Sequence, residues 1–109
     1  MTPNEITAWL RGFFAHREKY DGTSVWSPLP RVACVDGFSV SIQGSEYSYC
    51  FPRVNTNFYY QFELGFPSSA DELIQPYAEE PTAPTSTVYP YVPLETVISL
   101  LHKHGGPAK

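Results

Sequence analysis

The chain has 109 residues, a length that supports one domain with a single core and is too short for a second. Its hydrophobic content of 42% and aromatic content of 16% exclude a fully disordered chain. The formal net charge is −4, and residues 54–102 contain no lysine or arginine. We therefore expect a single domain spanning residues 1–109, and we do not expect nucleic acid as a partner because the basic footprint for it is missing.

The first residues carry neither the basic region nor the apolar region of a signal peptide. No apolar run approaches the ~18 residues that a membrane span requires. We expect a cytoplasmic protein without membrane contact, in which Cys34 and Cys50 remain reduced thiols.

The N-terminal segment predicts a helix. Thr2 as N-cap and Glu5 three residues later form a capping box, with Pro3 at the first helical position. Apolar residues then recur at spacings of three and four, at Ile6, Trp9, Leu10, Phe13 and Phe14. His16, Arg17 and Lys19 suit the negative end of the helix dipole, and Asp21-Gly22 is the predicted end. Residues 22–31 are predicted to form a loop around Trp26.

Residues 37–64 predict an antiparallel meander. Arg31 to Val35 is a short strand before it, and Asp36-Gly37 is a hairpin turn into the meander. Phe38, Val40 and Ile42 alternate with polar residues, and a two-residue Gly44-Ser45 turn would set the register. That register pairs three inward-facing sets: Ile42 with Tyr47, Val40 with Tyr49 and Phe38 with Phe51. The third alternation places Phe58, Tyr60, Phe62 and Leu64 inward and Tyr59, Gln61 and Glu63 on the polar face.

The last third begins with a short helical turn over residues 70–74, capped by Ser68 or Ser69 and stopped by Pro76. A proline-rich segment follows over residues 76–93, and residues 88–92 within it are predicted to form an edge strand. Pro93 then starts a helix, with His102, Lys103 and His104 in its last turn and Gly105 as its stop. The buried stripe of that helix is Leu94, Val97, Ile98 and Leu101.

Together these elements predict an α+β fold. An antiparallel β-meander of three to four strands is packed by an N-terminal and a C-terminal helix, with the proline-rich segment before the last helix. We expect both helices on the aromatic face of the sheet.

Chemistry-bearing motifs are few. Arg53 could lower the pKa of the Cys50 thiol, but catalysis would also need a positioned base. His102 and His104 point apart on a helix, and zinc would require two more ligands. No phosphate-binding loop, dinucleotide fingerprint or nucleophile elbow occurs. We expect no enzyme activity, no cofactor and no metal.

Surface aromatic residues are the better indication of function, because Tyr and Trp dominate binding hot spots. The rings expected to stay partly exposed are Trp26, Tyr59, Tyr77, Tyr89 and Tyr91. The candidate binding residues are Tyr59, Tyr89 and Tyr91, followed by Arg53 and the Glu79/Glu80 pair. In the alternative interpretation these rings fix the irregular segment onto the body of the domain.

Four strings carry a resemblance to a protein family: GFSVSIQGSEYSYCFPR (37–53), FELGFPS (62–68), PYAEEPTAPTSTVYPYVP (76–93) and KHGG (103–106). The chain resembles small accessory proteins of unknown function encoded by tailed phages and prophages. The resemblance spans residues 37–106 and excludes the N-terminal helix and the Trp26 loop. The family has Ala-Ser where this chain has Gly44-Ser45 after the glutamine. The resemblance implies a virus-encoded protein in the cytoplasm of an infected bacterial host, and it implies no catalytic residues.

Three functional hypotheses follow. In the first, the protein inhibits a host antiviral defence, in the manner of an anti-CRISPR, or a host regulatory protein by stoichiometric binding through its tyrosines or its acidic residues 63–80. In the second, it sequesters a small nucleotide signal, with rings stacking on the base and Arg53 or Arg31 holding the phosphate. In the third, it is a virion or assembly accessory protein that forms homo-oligomers through an uncovered sheet edge.

Overall fold

The computed structural model describes residues 1–15 and 29–108. In chain order the elements are α1 (Pro3–Ala15), β1 (Val32–Ala33), β2 (Ser39–Gln43), β3 (Gln61–Gly65), a 3-10 helix (Gln75–Tyr77), β4 (Val88–Pro93) and α2 (Leu94–Lys103). The strands form one antiparallel sheet in the order β1-β2-β3-β4. The predicted α+β fold, with a helix at each end of the chain, is confirmed. The predicted helix end near Asp21-Gly22 and the Trp26 loop lie outside the described residues.

Helix α1 begins as the sequence predicts. The Thr2 N–H donates to Glu5 Oε1 at 2.8 Å, and the Glu5 N–H donates to Thr2 Oγ1 at 3.2 Å. These reciprocal bonds satisfy two backbone donors that a helix N-terminus leaves unpaired. The buried face of α1 consists of Ile6, Leu10, Phe13 and Phe14, with Trp9 partly buried against them.

The predicted hairpin through Gly44-Ser45 is wrong. Ile42 lies opposite Leu64 of β3 rather than Tyr47, and Val40 lies opposite Val32 of β1. Ser45 is the physical reason: its hydroxyl accepts the Tyr47 N–H at 3.0 Å, and its carbonyl accepts the Ser48 N–H at 3.2 Å. This local turn engages the Tyr47 N–H and the Ser45 carbonyl, so these backbone groups are not available for pairing across a two-residue hairpin. Residues 44–60 therefore form a long connection between β2 and β3.

The core lies between the helices and one face of the sheet. Val40, Ile42, Phe62 and Leu64 are buried on that face, and Phe14 of α1 contacts Phe62 with ring centroids 5.6 Å apart. From α2, Val97, Leu100 and Leu101 are buried in the same cluster. The opposite face carries the half-buried Ser39, Ser41, Gln43, Gln61 and Glu63, the polar face that the alternation predicts.

The end of α2 is a Schellman motif. The Gly106 N–H donates to Leu101 O at 2.8 Å and the Gly105 N–H to His102 O at 3.1 Å, and Gly105 has a φ of 88°. That left-handed conformation favours glycine, so the predicted stop at Gly105 is confirmed.

Residues 68–77 differ from the prediction. Asp71, not a serine, caps the segment: its Oδ1 accepts the Leu73 N–H at 2.9 Å. Pro76 lies inside the 3-10 helix instead of ending a helical turn, because the first turn of a helix does not need the N–H that proline lacks. Ser68 instead bonds β2, accepting the Ser39 N–H through its hydroxyl at 2.9 Å.

Backbone from outside the strands covers positions on both edges of the sheet. On β4, the Tyr91 N–H donates to Tyr49 O and Val88 O accepts from the Glu79 N–H, each at 3.0 Å. On β1, Ala33 O accepts the Ala108 N–H at 2.7 Å. These bonds use edge groups that strand pairing with another chain would need, so they disfavour self-assembly through those positions.

Two glycines provide a matched test of this packing. A Cβ at residue 44 would lie 2.7 Å from Tyr59 Cε2, whereas a Cβ at residue 12 has nothing within 4 Å. Because the Tyr59 ring is buried, we expect Gly44→Ala to lower the free energy of unfolding by about 1–3 kcal/mol through overpacking. Gly12→Ala, inside α1, should raise it by about 0.5–1 kcal/mol. Urea unfolding measures both values, and an unchanged Gly44→Ala stability would contradict the packing described here.

Candidate functional site

Two of the predicted binding tyrosines belong to the core. Tyr59 and Tyr89 are both 0% exposed, so the prediction that they are surface rings is wrong. The Tyr59 hydroxyl donates to Val54 O at 2.8 Å and accepts the Thr56 N–H at 3.1 Å, while the Tyr89 hydroxyl donates to Pro84 O. Strand β3 begins only at Gln61, so the alternation assumed for residues 58–60 does not hold. Tyr77 is partly exposed, as predicted, and packs against the core.

Tyr91 is exposed, as predicted, and a bulge in β4 explains why. Phe62 lies opposite Val92 and Leu64 opposite Tyr89, so two steps on β3 match three steps on β4. The extra residue lets Tyr89 and Val92 both point inward, and Tyr91 has a left-handed φ of 55°. In a regular strand Tyr91 would share the buried face of Tyr89. The bulge instead directs its ring to the outside, where it is 42% exposed.

Tyr91 and Arg53 are brought together through a third residue, Tyr49. The Tyr49 and Tyr91 ring centroids lie 6.1 Å apart, and the Arg53 guanidinium lies over the Tyr49 ring at 5.4 Å from its centroid. Tyr49 is itself 42% exposed. Its backbone is fixed on both sides, since its N–H donates to Glu63 Oε1 at 2.8 Å and its carbonyl accepts from Tyr91.

The exposed rings continue along the same segment. Phe51 and Tyr60 are each 57% exposed, with ring centroids 6.3 Å apart. The Phe51 carbonyl accepts the Tyr60 N–H at 2.8 Å, and Phe51 is two residues along the chain from Tyr49. We call Tyr49, Phe51, Arg53, Tyr60 and Tyr91 the aromatic surface.

The sequence prediction missed three members of this surface, because it placed Tyr49, Phe51 and Tyr60 on the inner face of the sheet. Pro52 was a usable signal, since proline lacks the N–H that an interior strand position needs. The Ser45-Glu46-Tyr47-Ser48 sequence, with a serine able to form a local turn, was another.

Glu79 and Glu80 are exposed but lie apart from this surface. The Glu79 N–H donates to Val88 O at 3.0 Å, and the Glu80 N–H donates to Thr87 Oγ1 at 3.0 Å. Both therefore sit beside the start of β4, three residues along the strand from Tyr91. Glu80 Oε1 accepts the Thr82 hydroxyl at 2.7 Å.

Cys34 and Cys50 are both buried and are not joined by a disulfide. Burial, followed by the nearby Asp36 charge, raises the pKa of Cys34 to about 11, so this thiol is protonated and poorly nucleophilic near neutral pH. The Sγ of Cys50 donates to Ser45 O at 3.2 Å. Arg53, which the sequence suggested as the activator of Cys50, lies over Tyr49.

His104 lies at the centre of a polar cluster. Its Nδ1 lies 2.7 Å from Asp36 Oδ2 and its Nε2 lies 2.8 Å from Asp71 Oδ2. Lys103 Nζ also lies 3.2 Å from Asp71, while His102 is exposed. Both imidazole nitrogens are engaged by carboxylates, so in this arrangement neither is available as a general base.

An open depression of about 570 Å³ adjoins this cluster, lined by Ala70, Asp71, Glu72, Gln75, Pro76 and Pro81. Its lining holds two carboxylates and, among the described residues, no cation. A phosphate-bearing ligand is therefore disfavoured there. Within residues 1–15 and 29–108, no group of three or more His, Cys, Asp or Glu side chains is arranged to hold a metal ion. In that same part of the chain, no helix has the length and apolarity needed to cross a membrane.

Comparisons with protein families, curated proteins and solved structures gave no match to this chain.

The adjacent residues Tyr59 and Tyr60 allow a buried tyrosine to be compared with an exposed one. Tyr59→Phe removes the hydroxyl that bonds Val54 and Thr56, and we expect it to lower the free energy of unfolding by about 1–2 kcal/mol. Tyr60→Phe, at an exposed ring, should change it by no more than about 0.5 kcal/mol. Chemical denaturation of both variants measures the difference, and equal effects would contradict this assignment.

Proposed function

We propose that this chain is a non-enzymatic protein-binding protein that acts through the aromatic surface. Partner proteins commonly bury tyrosine and arginine at the centre of an interface, where these residues supply most of the binding free energy. Four rings between 42% and 57% exposed, with an arginine stacked on one of them, match that composition.

The grouping of the strained, exposed Tyr91 with Tyr49 and Arg53 is the observation that carries this proposal. A left-handed backbone at a bulky residue costs about 1–3 kcal/mol, and such strain is concentrated at functional sites. Here the strained residue shows its ring to solvent instead of burying it. Phe66 shares this backbone conformation, so the strain supports the proposal only together with the ring and the guanidinium grouped with Tyr91.

A protein fits this surface better than a nucleic acid does. The chain has a net charge of −4, and a polyanion is attracted by clusters of cations, whereas the aromatic surface contains one, Arg53. The rings also lie on an open surface and not in an enclosed cleft of the kind that buries most of a small ligand.

We propose further that the partner is a host defence or regulatory protein and that the binding is stoichiometric inhibition. The resemblance of residues 37–106 to phage and prophage accessory proteins supports this context. An inhibitor of this kind requires no catalytic group, only a surface that occupies its target.

The test uses Tyr91→Gly in a tagged pull-down from lysate of the bacterial host, followed by titration calorimetry with each captured protein after purification. Glycine relieves the left-handed strain but removes the ring, so we expect stability to change by no more than about 1 kcal/mol. Affinity for the partner should fall at least ~30-fold, the loss expected for a hot-spot residue.

Phe66→Gly is the matched control. Phe66 also has a left-handed φ of 51° and a 48% exposed ring, but it follows β3 at the end opposite Tyr60. We expect Phe66→Gly to retain wild-type affinity and a 1:1 complex that inhibits the partner's activity. Equal loss of affinity in both variants, or no loss in Tyr91→Gly, would refute the role of the aromatic surface. A wild-type protein that captures no stoichiometric partner would refute the function in that host.

A further inference from the structure

Residues 104–108, here called the C-terminal strap, lie along the outer edge of β1. The Asp36 N–H donates to His104 O at 3.2 Å, the Val35 N–H to Gly106 O at 2.9 Å, and the Ala108 N–H to Ala33 O at 2.7 Å. Cys34 and Pro107 form an antiparallel bridge between them. The strap thus occupies backbone groups that β1, as an edge strand, would otherwise expose.

The side chain of His104 fastens the start of the strap. Its two ring nitrogens bond Asp36, in the turn between β1 and β2, and Asp71, in the segment before the 3-10 helix. Its ring also stacks on Phe38, with centroids 3.9 Å apart and an interplanar angle of 7°. One imidazole therefore joins α2 to two other parts of the fold.

These contacts require a proton. Carboxylate oxygens accept hydrogen bonds, and a neutral imidazole has one N–H and one lone pair. Only the imidazolium ion can donate to Asp36 and Asp71 together. In the neutral form, one nitrogen would direct its lone pair at a carboxylate.

We propose that His104 is a proton-dependent latch: the protonated ring holds the C-terminal strap on β1, and loss of the proton releases the strap. Release uncovers the backbone of residues 33–36. This device is separate from the aromatic surface, whose residues bond to one another and to β3 and belong to neither β1 nor the strap.

The charged and titratable groups around His104 set the direction of the pH effect. Among the described residues, Asp36 and Asp71 bond His104, Lys103 pairs with Asp71, and Cys34 lies near Asp36. Met1, which carries the α-amino group, lies beside Gly106 of the strap. Burial lowers the pKa of His104, but the hydrogen bonds and charges of Asp36 and Asp71 outweigh it and raise the pKa above its ordinary value of 6.5. Cys34, with a pKa of about 11, stays neutral in the relevant range.

The two carboxylates remain charged throughout that range. The Phe38 N–H, followed by His104, lowers the pKa of Asp36. Burial raises the pKa of Asp71, but the Leu73 N–H, His104 and Lys103 outweigh it, and the pKa lies below 3.8. The latch is therefore complete between pH 3.8 and pH 6.5, which are the ordinary pKa values of aspartate and histidine. It weakens as the pH rises from 6.5 through the raised pKa of His104.

Amide hydrogen exchange followed by NMR tests this proposal, with rates corrected for the intrinsic effect of pH. For Val35, Asp36 and Ala108, we expect constant protection below about pH 6.5. Above it, protection should fall up to about tenfold per pH unit until the raised pKa is reached, and then level off. The Tyr91 amide, at the other edge of the sheet, should show no such fall.

Three variants complete the test. His104→Gln cannot titrate, so its strap amides should lose the pH dependence, whereas His102→Gln, which removes an exposed imidazole two residues away, should keep the wild-type profile. Asp36→Asn removes one of the two carboxylates and should flatten the profile; it decides the question if His104→Gln does not fold. The proposal is overturned if the strap amides of the wild type show protection that does not change with pH, or protection that falls in parallel with that of the Tyr91 amide. A wild-type pH profile in His104→Gln or in Asp36→Asn would overturn it as well.

Discussion

The pairing of β2 with β3 is the constraint on which the rest of this structure depends. Ile42 opposite Leu64 places both side chains in the core, and the pairing leaves residues 44–60 outside the regular strands. A hairpin at Gly44-Ser45 would have put Tyr47, Tyr49 and Phe51 on the inner face. Since β3 fills that position instead, the rings of Tyr47, Tyr49 and Phe51 are displaced to the surface. The same pairing that completes the core thus creates the aromatic surface.

The sequence predicts the elements of this fold better than it predicts their pairing. The capping box at Thr2 and Glu5, the stop at Gly105 and the edge strand near Tyr89 each depend on residues close in the chain, where local rules apply. Which strand lies beside β2 depends instead on how much apolar surface each alternative buries. The two candidates, residues 46–51 and β3, alternate apolar and polar side chains equally well. The contact of His104 with Asp36 joins residues 68 positions apart, and no local pattern marks it.

The Tyr89-Pro90-Tyr91 sequence shows the same limit within three residues. Period-two alternation treats both tyrosines alike, yet the bulge buries Tyr89 completely and leaves Tyr91 exposed. Proline at position 90 marks an edge strand, but it does not reveal where the extra residue will be accommodated. Of the predicted binding residues, Tyr91 and Arg53 both contact the ring of Tyr49. Tyr59 and Tyr89 support the core, and Glu79 and Glu80 remain at the start of β4.

The two edges of the sheet are protected by different physical means. At β4 the protection is a backbone bond between Tyr91 and Tyr49 that also positions two exposed rings, so covering this edge and presenting the aromatic surface are the same arrangement. At β1 the protection is the C-terminal strap, whose fastening requires a charged imidazole between two carboxylates. A hydrogen bond between neutral backbone groups does not change with pH near neutrality, whereas an imidazolium–carboxylate contact does. The β1 edge can therefore respond to proton concentration while the β4 edge keeps a fixed geometry, which is what a rigid binding surface requires.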